Sequence, residues 1–216
     1  MKKQIINAVL EHKIIAILRG VPKDKVIPLT EALYAGGVRL VEVPFDMKKN
    51  ISDEETCEMI SMLINHFEDK MYIGAGTVLT PLQVEMTKNV GGLFIISPDL
   101  NREVVEKTVE LGMVSMPGAI TPTEITTALR YGADFVKIFP AGTFGPGYIK
   151  GVCAPLSNVK LLAVGGVDEN NIKDYLKVGI CGFGINSNIV DKKMLANEDY
   201  EGITELTKKF FASMEG

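Results

Sequence analysis

Tryptophan is missing from this 216-residue chain, histidine occurs twice and cysteine three times. Each scarcity closes off some chemistry. Cys57, Cys153 and Cys181 are scattered and odd in number, so neither a disulfide framework nor a clustered zinc site is indicated, and each reads as a small packed residue. His12 falls in a leading helical segment and His66 in a surface helix, which leaves both outside a catalytic reading. No apolar run approaches the length of a membrane span, and MKKQIINAVLEHKIIAI at the start reads as a short polar helix and then a strand, without a small-residue cleavage site. A cytoplasmic protein is expected. There is no basic stripe either: 23 Lys and Arg stand interspersed with 27 Asp and Glu, for a formal charge of -4, which argues against a nucleic-acid partner. No linker or low-complexity segment divides the chain, so one domain over 1–216 is the default.

What is present is a rhythm. Short apolar runs at 14–18, 40–44, 72–75, 93–97, 114–117, 135–139, 160–164 and 182–185 alternate with longer amphipathic stretches. Thr80-Pro81-Leu82-Gln83 and Thr121-Pro122-Thr123-Glu124 each order a cap, an N1 proline and a capping-box partner. Gly36-Gly37, Gly91-Gly92, Gly112, Gly132 and Gly179 each stand after a helical run and before a strand. Strand, loop, helix and glycine repeated eight times predict an α/β fold, a (β/α)8 TIM barrel preceded by a short helix from about Lys3 to Glu11 and closed by one from about Asp199 to Met214. A doubly wound open sheet ranks lower. Its dinucleotide loop is missing, because the first strand ends in Leu18-Arg19-Gly20.

Inside the sixth run, FVKIFPAG, a lysine interrupts the apolar pattern. A strand of that composition is buried on both faces, so Lys137 must point into something, and burial without a partner favours the neutral, nucleophilic amine. A snorkelling or ion-paired lysine would leave it structural. In a barrel, chemistry sits at the C-terminal strand ends, and these carry Arg19, Glu42 to Asp46, Gly76-Thr77, Ser97-Pro98, Pro117-Gly118, Lys137 to Pro140, Gly165-Gly166 and Asn186-Ser187. Each admits a plainer role. Glu42 could be the ionic partner of Lys137, Arg19 a rim residue, Thr77 a turn cap and the glycine pair a tight turn. Their coincidence at one end of the barrel favours a shared site.

The motifs IIAILRG (14–20), VEVPF (41–45), IGAGTV (73–78), ISPDLN (96–101), PGAITPTE (117–124), KIFP (137–140) and AVGGV (163–167) resemble, in order and along nearly the whole chain, those of the 2-keto-3-deoxy-6-phosphogluconate and 4-hydroxy-2-oxoglutarate aldolases. IFPAGTFGPGYIKG (138–151), AILRG and VEVPF look closest to the branch acting on 2-keto-3-deoxy-6-phosphogalactonate. The resemblance implies a metal-independent, cofactor-free class I aldolase, a lyase of carbohydrate metabolism that is homotrimeric. Its partners would be a 2-keto acid and pyruvate. By the same resemblance Lys137 forms the Schiff base and Glu42 is the general acid/base, working through a water. Arg19 and Thr77 would hold the keto acid, and Pro98 and Phe139 would form apolar walls. Gly165, Gly166, Asn186 and Ser187 would take the distal phosphate.

Two positions depart from the family pattern. Asp46 stands where many gluconate-type members carry a carboxylate-binding arginine, so either Arg19 takes over or Asp46 faces a hydroxyl. Asn186 stands where glycine often precedes the serine, and asparagine tolerates left-handed backbone angles better than most residues. That change keeps an unphosphorylated substrate such as 4-hydroxy-2-oxoglutarate in play. Two readings from other classes remain. One is a phosphate-binding isomerase or epimerase using Glu42 as base with Lys137 as an electrostatic aid; the other is a non-catalytic sugar-acid binding protein.

Overall fold

In the computed structural model the described residues, Met1–Glu215, form nine parallel strands; Gly216, the last residue of the expected domain, lies outside them. The strands are β1 Ile14–Ile17, β2 Leu40–Pro44, β3 Tyr72–Gly76, β4 Phe94–Ile96, β5 Val114–Met116, β6 Gly118–Ala119, β7 Val136–Ile138, β8 Leu161–Val164 and β9 Ile180–Ile185. They are ordered β5-β4-β3-β2-β1-β9-β8-β7-β6. Only Pro117 separates the two ends of that order. The fifth expected run is therefore one strand broken in two, because proline has no N–H to donate to a ladder. Backbone bonds carry the closure across the break: Asp134 and Phe135 donate to Ser115 O at 3.0 and 3.2 Å, and Lys137 donates to Pro117 O at 2.8 Å. The result is the TIM-barrel-like fold, eight staves with one of them notched.

The helices are α1 Lys2–His12, α2 Val26–Ala35, α3 Asp53–Phe67, α4 Pro81–Asn89, α5 Arg102–Glu110, α6 Pro122–Arg130, α7 Ala141–Cys153, α8 Ile172–Lys177, α9 Lys192–Ala196 and α10 Tyr200–Ala212. Local chemistry starts and stops several of them. Thr121 and Glu124 make a reciprocal capping box. Thr80 accepts from Gln83 N, but the Gln83 side chain reaches one residue further back, to Leu79 N, so that box is only half formed. After five helices Gly37, Gly91, Gly112, Gly132 and Gly179 take positive φ, the conformation that costs glycine least. Within α7, Gly145 (φ 70, ψ 172) ahead of Pro146 splits the segment into two helical pieces.

Two cores follow from the strand alternation. Ile14, Ala16, Val41, Val43, Ile73, Ala75, Val136 and Ile138 face the helices. Ile15, Leu40, Phe94, Val114, Phe135 and Leu162 face the barrel axis, where Ile5, Ala8 and Val9 of α1 plug the N-terminal end. Truncating one of the fully buried isoleucine, leucine or phenylalanine side chains to alanine would cost about 2–5 kcal/mol. The same parity decides the site. Glu42 lies two residues after Leu40, and Lys137 two after Phe135, so both point inward above the apolar plug.

Candidate active site

At the C-terminal mouth of the barrel a cavity of about 350 Å³ is lined by nine of the ten residues singled out above: Arg19, Thr77, Pro98, Lys137, Phe139, Gly165, Gly166, Asn186 and Ser187. The tenth, Glu42, is not in the lining. It lies in the barrel interior, 2 % exposed, beside Gly76. A second cavity of about 580 Å³ shares Arg19 and runs under the loop from Asp46 to Ile51.

Lys137 is 5 % exposed, and its Nζ lies 4.8 Å from the centroid of the Phe139 ring. Among the described residues it has neither a hydrogen-bond partner nor an ion pair, and no side-chain nitrogen or oxygen is both sealed and unpartnered. The amine therefore opens onto the cavity. Burial lowers its pKa, Glu42 raises it and Arg19 lowers it further; burial is the largest effect and the net shift is downward. Glu42 shifts upward for the same first reason, with Lys137 and Arg19 pulling the other way. Both groups are thus driven toward their neutral forms. Glu42 acts on Lys137 through space with no hydrogen bond between them, so the tight ion pair that would have made Lys137 structural is not formed.

Arg19 and Thr77 converge as a unit: Arg19 Nη2 donates to Thr77 Oγ1 at 3.0 Å. Thr77 has φ 53, which for a β-branched residue is strained by roughly 1–3 kcal/mol. The strain turns its hydroxyl to the guanidinium at the cavity wall. Asp46, by contrast, is absorbed by its own loop. Its two carboxylate oxygens accept from Lys48 N at 3.0 Å and Asn50 N at 2.9 Å, and backbone donors hold its pKa down. It does not line the first cavity, whose lining includes the guanidinium-bearing Arg19.

Opposite lies a cluster of free backbone donors. Gly165 (φ 82) and Gly166 (φ 79) both need the left-handed region. The carbonyl of Gly165 accepts from Gly142 N at 2.8 Å, and that of Gly166 from Asn171 Nδ2 at 3.0 Å. The carbonyl of Asn186 accepts from Ile189 N and Val190 N, so Ser187 and Asn188 begin a helical turn. That leaves the N–H groups of Gly166, Val167, Ser187 and Asn188 without protein acceptors among the described residues, and all four residues line the cavity. Such a nest suits a phosphate or carboxylate. Asn186 itself is not at positive φ, so the left-handed tolerance expected of asparagine is not used there.

Sequence reasoning missed Ile17, Val164, Val167, Gly184, Ile185 and Asn188 in this lining. For Val167 and Asn188 a signal existed, since a nest is made by the residue after the turn as much as by the turn. Gly184 gave a weaker one as a glycine inside a strand; a methyl there would come within 2.8 Å of Val164 Cγ2. Among the described residues no cluster of three or more His, Cys, Asp or Glu could hold a metal ion.

Comparison with known proteins agrees with this geometry. The family model described as KDPG and KHG aldolase matches residues 5–206. The 2-dehydro-3-deoxy-6-phosphogalactonate aldolase of Escherichia coli K12 is 37% identical over 177 residues, covering 82% of this chain and 83% of that protein. A native KDPGal structure superposes with a TM-score of 0.82 at 34% identity, covering 93% of both chains. The KDPG aldolase of Legionella pneumophila, with pyruvate captured at low pH as a covalent carbinolamine intermediate, superposes with a TM-score of 0.84 at 30% identity, covering 94% of this chain and 96% of that one.

Proposed function

Since this chain belongs to the KDPG and KHG aldolase family, we infer that it is a class I aldolase, a lyase that reversibly cleaves a 2-keto-3-deoxy-6-phospho sugar acid to pyruvate and glyceraldehyde 3-phosphate. The observation that carries this is a buried, depressed amine, Lys137, opening onto a cavity with a carboxyl below it and an anion nest across it.

The neutral amine attacks the C2 carbonyl, giving a carbinolamine. Glu42, whose raised pKa lets it hold a proton, donates through a water as hydroxide leaves and the protonated imine forms. Arg19 and Thr77 orient the carboxylate of the keto acid beside the imine. The imine then accepts the electron pair of the C3–C4 bond, while Glu42 takes the proton of the C4 hydroxyl and the aldehyde departs. Protonation of the enamine at C3 and hydrolysis release pyruvate and restore Lys137. Phe139 and Pro98 wall the path, and the Gly166, Val167, Ser187 and Asn188 N–H groups receive the phosphate.

The relatives above support the galacto-configured phosphorylated acid as preferred substrate, with 4-hydroxy-2-oxoglutarate as the alternative. A phosphorylated substrate, which does not cross membranes unaided, supports a cytoplasmic location. A homotrimer, the assembly that the family resemblance implies, is the one proposed. Sedimentation tests the assembly. The test of the chemistry is intact mass after incubation with pyruvate and borohydride. One pyruvyl adduct mapped to Lys137 is expected; a folded protein with no adduct would end the Schiff-base reading and favour isomerase or binding roles.

A further inference from the structure

The three atoms nearest to where a Gly76 side chain would begin all belong to one residue. A methyl built there would lie 2.6 Å from Cδ and Oε1 of Glu42 and 3.0 Å from Oε2. Real carbons do not approach so closely, so that space is available to Glu42 only while residue 76 has no side chain. Backbone conformation does not require glycine at this position, because Gly76 is not at positive φ and ends a regular strand paired through Pro44. Two residues earlier, Gly74 gives up its space to Phe94, to the ring and to the backbone carbonyl alike.

Glu42 meanwhile accepts no hydrogen bond from a protein donor among the described residues. Buried carboxylates are ordinarily held by donors; here no protein donor does so, and since no side-chain oxygen is both sealed and unpartnered, the carboxyl rests against Gly76 on one side and reaches open space on another. We propose that Gly76 is a positioning residue for the aldol reaction: its missing side chain seats the Glu42 carboxyl and sets that group's reach toward the imine on Lys137. The proposal rests on the acid/base reading of Glu42 given above.

Four variants test it: Glu42→Gln for that reading, then Gly76→Ala, Glu42→Asp and the double variant Gly76→Ala/Glu42→Asp. In the folded Gly76→Ala protein, kcat should fall about 10²-fold, the usual cost of displacing a catalytic group by an ångström or so. KM should stay within a few-fold, borohydride should still trap pyruvate on Lys137, and the limb of the pH–rate profile set by Glu42 should move. Aspartate withdraws the carboxyl by one methylene, so the double variant should turn over faster than Gly76→Ala alone. Parental kcat and pH profile in Gly76→Ala would overturn the proposal, as would a double variant no faster than the single. If Gly76→Ala fails to fold, a folded and active double variant supports the seat, and an unfolded one refutes it. Retained turnover in Glu42→Gln would remove the acid/base reading, and with it the proposal, whatever Gly76→Ala does.

Discussion

Replacing Lys137 with methionine should make the protein more stable while abolishing imine formation. Folding strips the amine of water, leaving it 5 % exposed without a hydrogen-bond or ion-pair partner, and its pKa falls from the ordinary 10.5. At pH 7 the cost of this has a ceiling. The amine can always escape by shedding its proton, which from an ordinary value of 10.5 costs about 5 kcal/mol, at about 1.4 kcal/mol per pH unit. Attraction to Glu42 offsets part of that, and methionine fills nearly the same volume without a charge. A gain of roughly 1–3 kcal/mol at pH 7 is expected, within the range for replacing buried charge by apolar groups. The sign of the pH dependence is also fixed. Between the lowered folded pKa and 10.5 the unfolded chain holds the proton and the folded one does not, so raising the pH stabilises the parent. The gap between parent and variant should therefore narrow toward pH 10. Urea unfolding at fixed protein concentration between pH 7 and 10 measures it. A variant less stable than the parent at pH 7, or a gap that does not change with pH, would refute the claim that burial dominates at Lys137.

Three further outcomes follow from the site. Ser187→Ala, which removes the hydroxyl and keeps the backbone N–H, should raise KM for a phosphorylated substrate several-fold more than for 4-hydroxy-2-oxoglutarate; equal effects would show that the hydroxyl makes no contact with the phosphate. Thr77→Gly should relieve positive-φ strain and raise stability by about 1 kcal/mol while lowering kcat/KM, because Arg19 loses its hydroxyl partner; thermal unfolding and steady-state kinetics read the two effects, and unchanged kinetics would exclude the pair from the site. Asp46→Ala should lower Tm by freeing the loop it caps and leave KM for the keto acid nearly unchanged. Because its folded pKa is depressed, its contribution is present above the ordinary carboxylate range and disappears as pH falls through the folded pKa, so parent and variant should converge in acid. A large rise in KM would place Asp46 on the substrate.

Fold and chemistry were legible in the sequence wherever the cause is local. Apolar runs of strand length alternating with capped amphipathic stretches dictate the β/α repeat, since periodicity and capping act within a turn or two of the chain. The glycine stops were legible for the same reason, each φ being a property of its own residue. An ammonium-bearing residue inside FVKIFP announced a site by chemistry alone. Pro117 could have announced the notch in the fifth strand, because a missing N–H is also local, but which neighbour each half pairs with is a matter of the closed sheet.

Everything that depends on two distant residues meeting was decided by the tertiary structure. Side-chain alternation from Leu40 to Glu42 and from Phe135 to Lys137 put the two groups on the barrel axis together, and their burial there is what shifts each away from its ordinary pKa. The sequence showed Asp46 to be a departure, but only the folded loop showed that its carboxylate is taken up by the backbone N–H groups of Lys48 and Asn50. Val167 and Asn188 became donors because β8 and β9 bring two turns to one mouth. Gly76, silent in the sequence as one glycine among 21, acquires a role from the carboxyl that occupies its space. Local pattern fixes what each segment becomes; register across the barrel, set by the packing of all the staves at once, fixes which groups can act on one another.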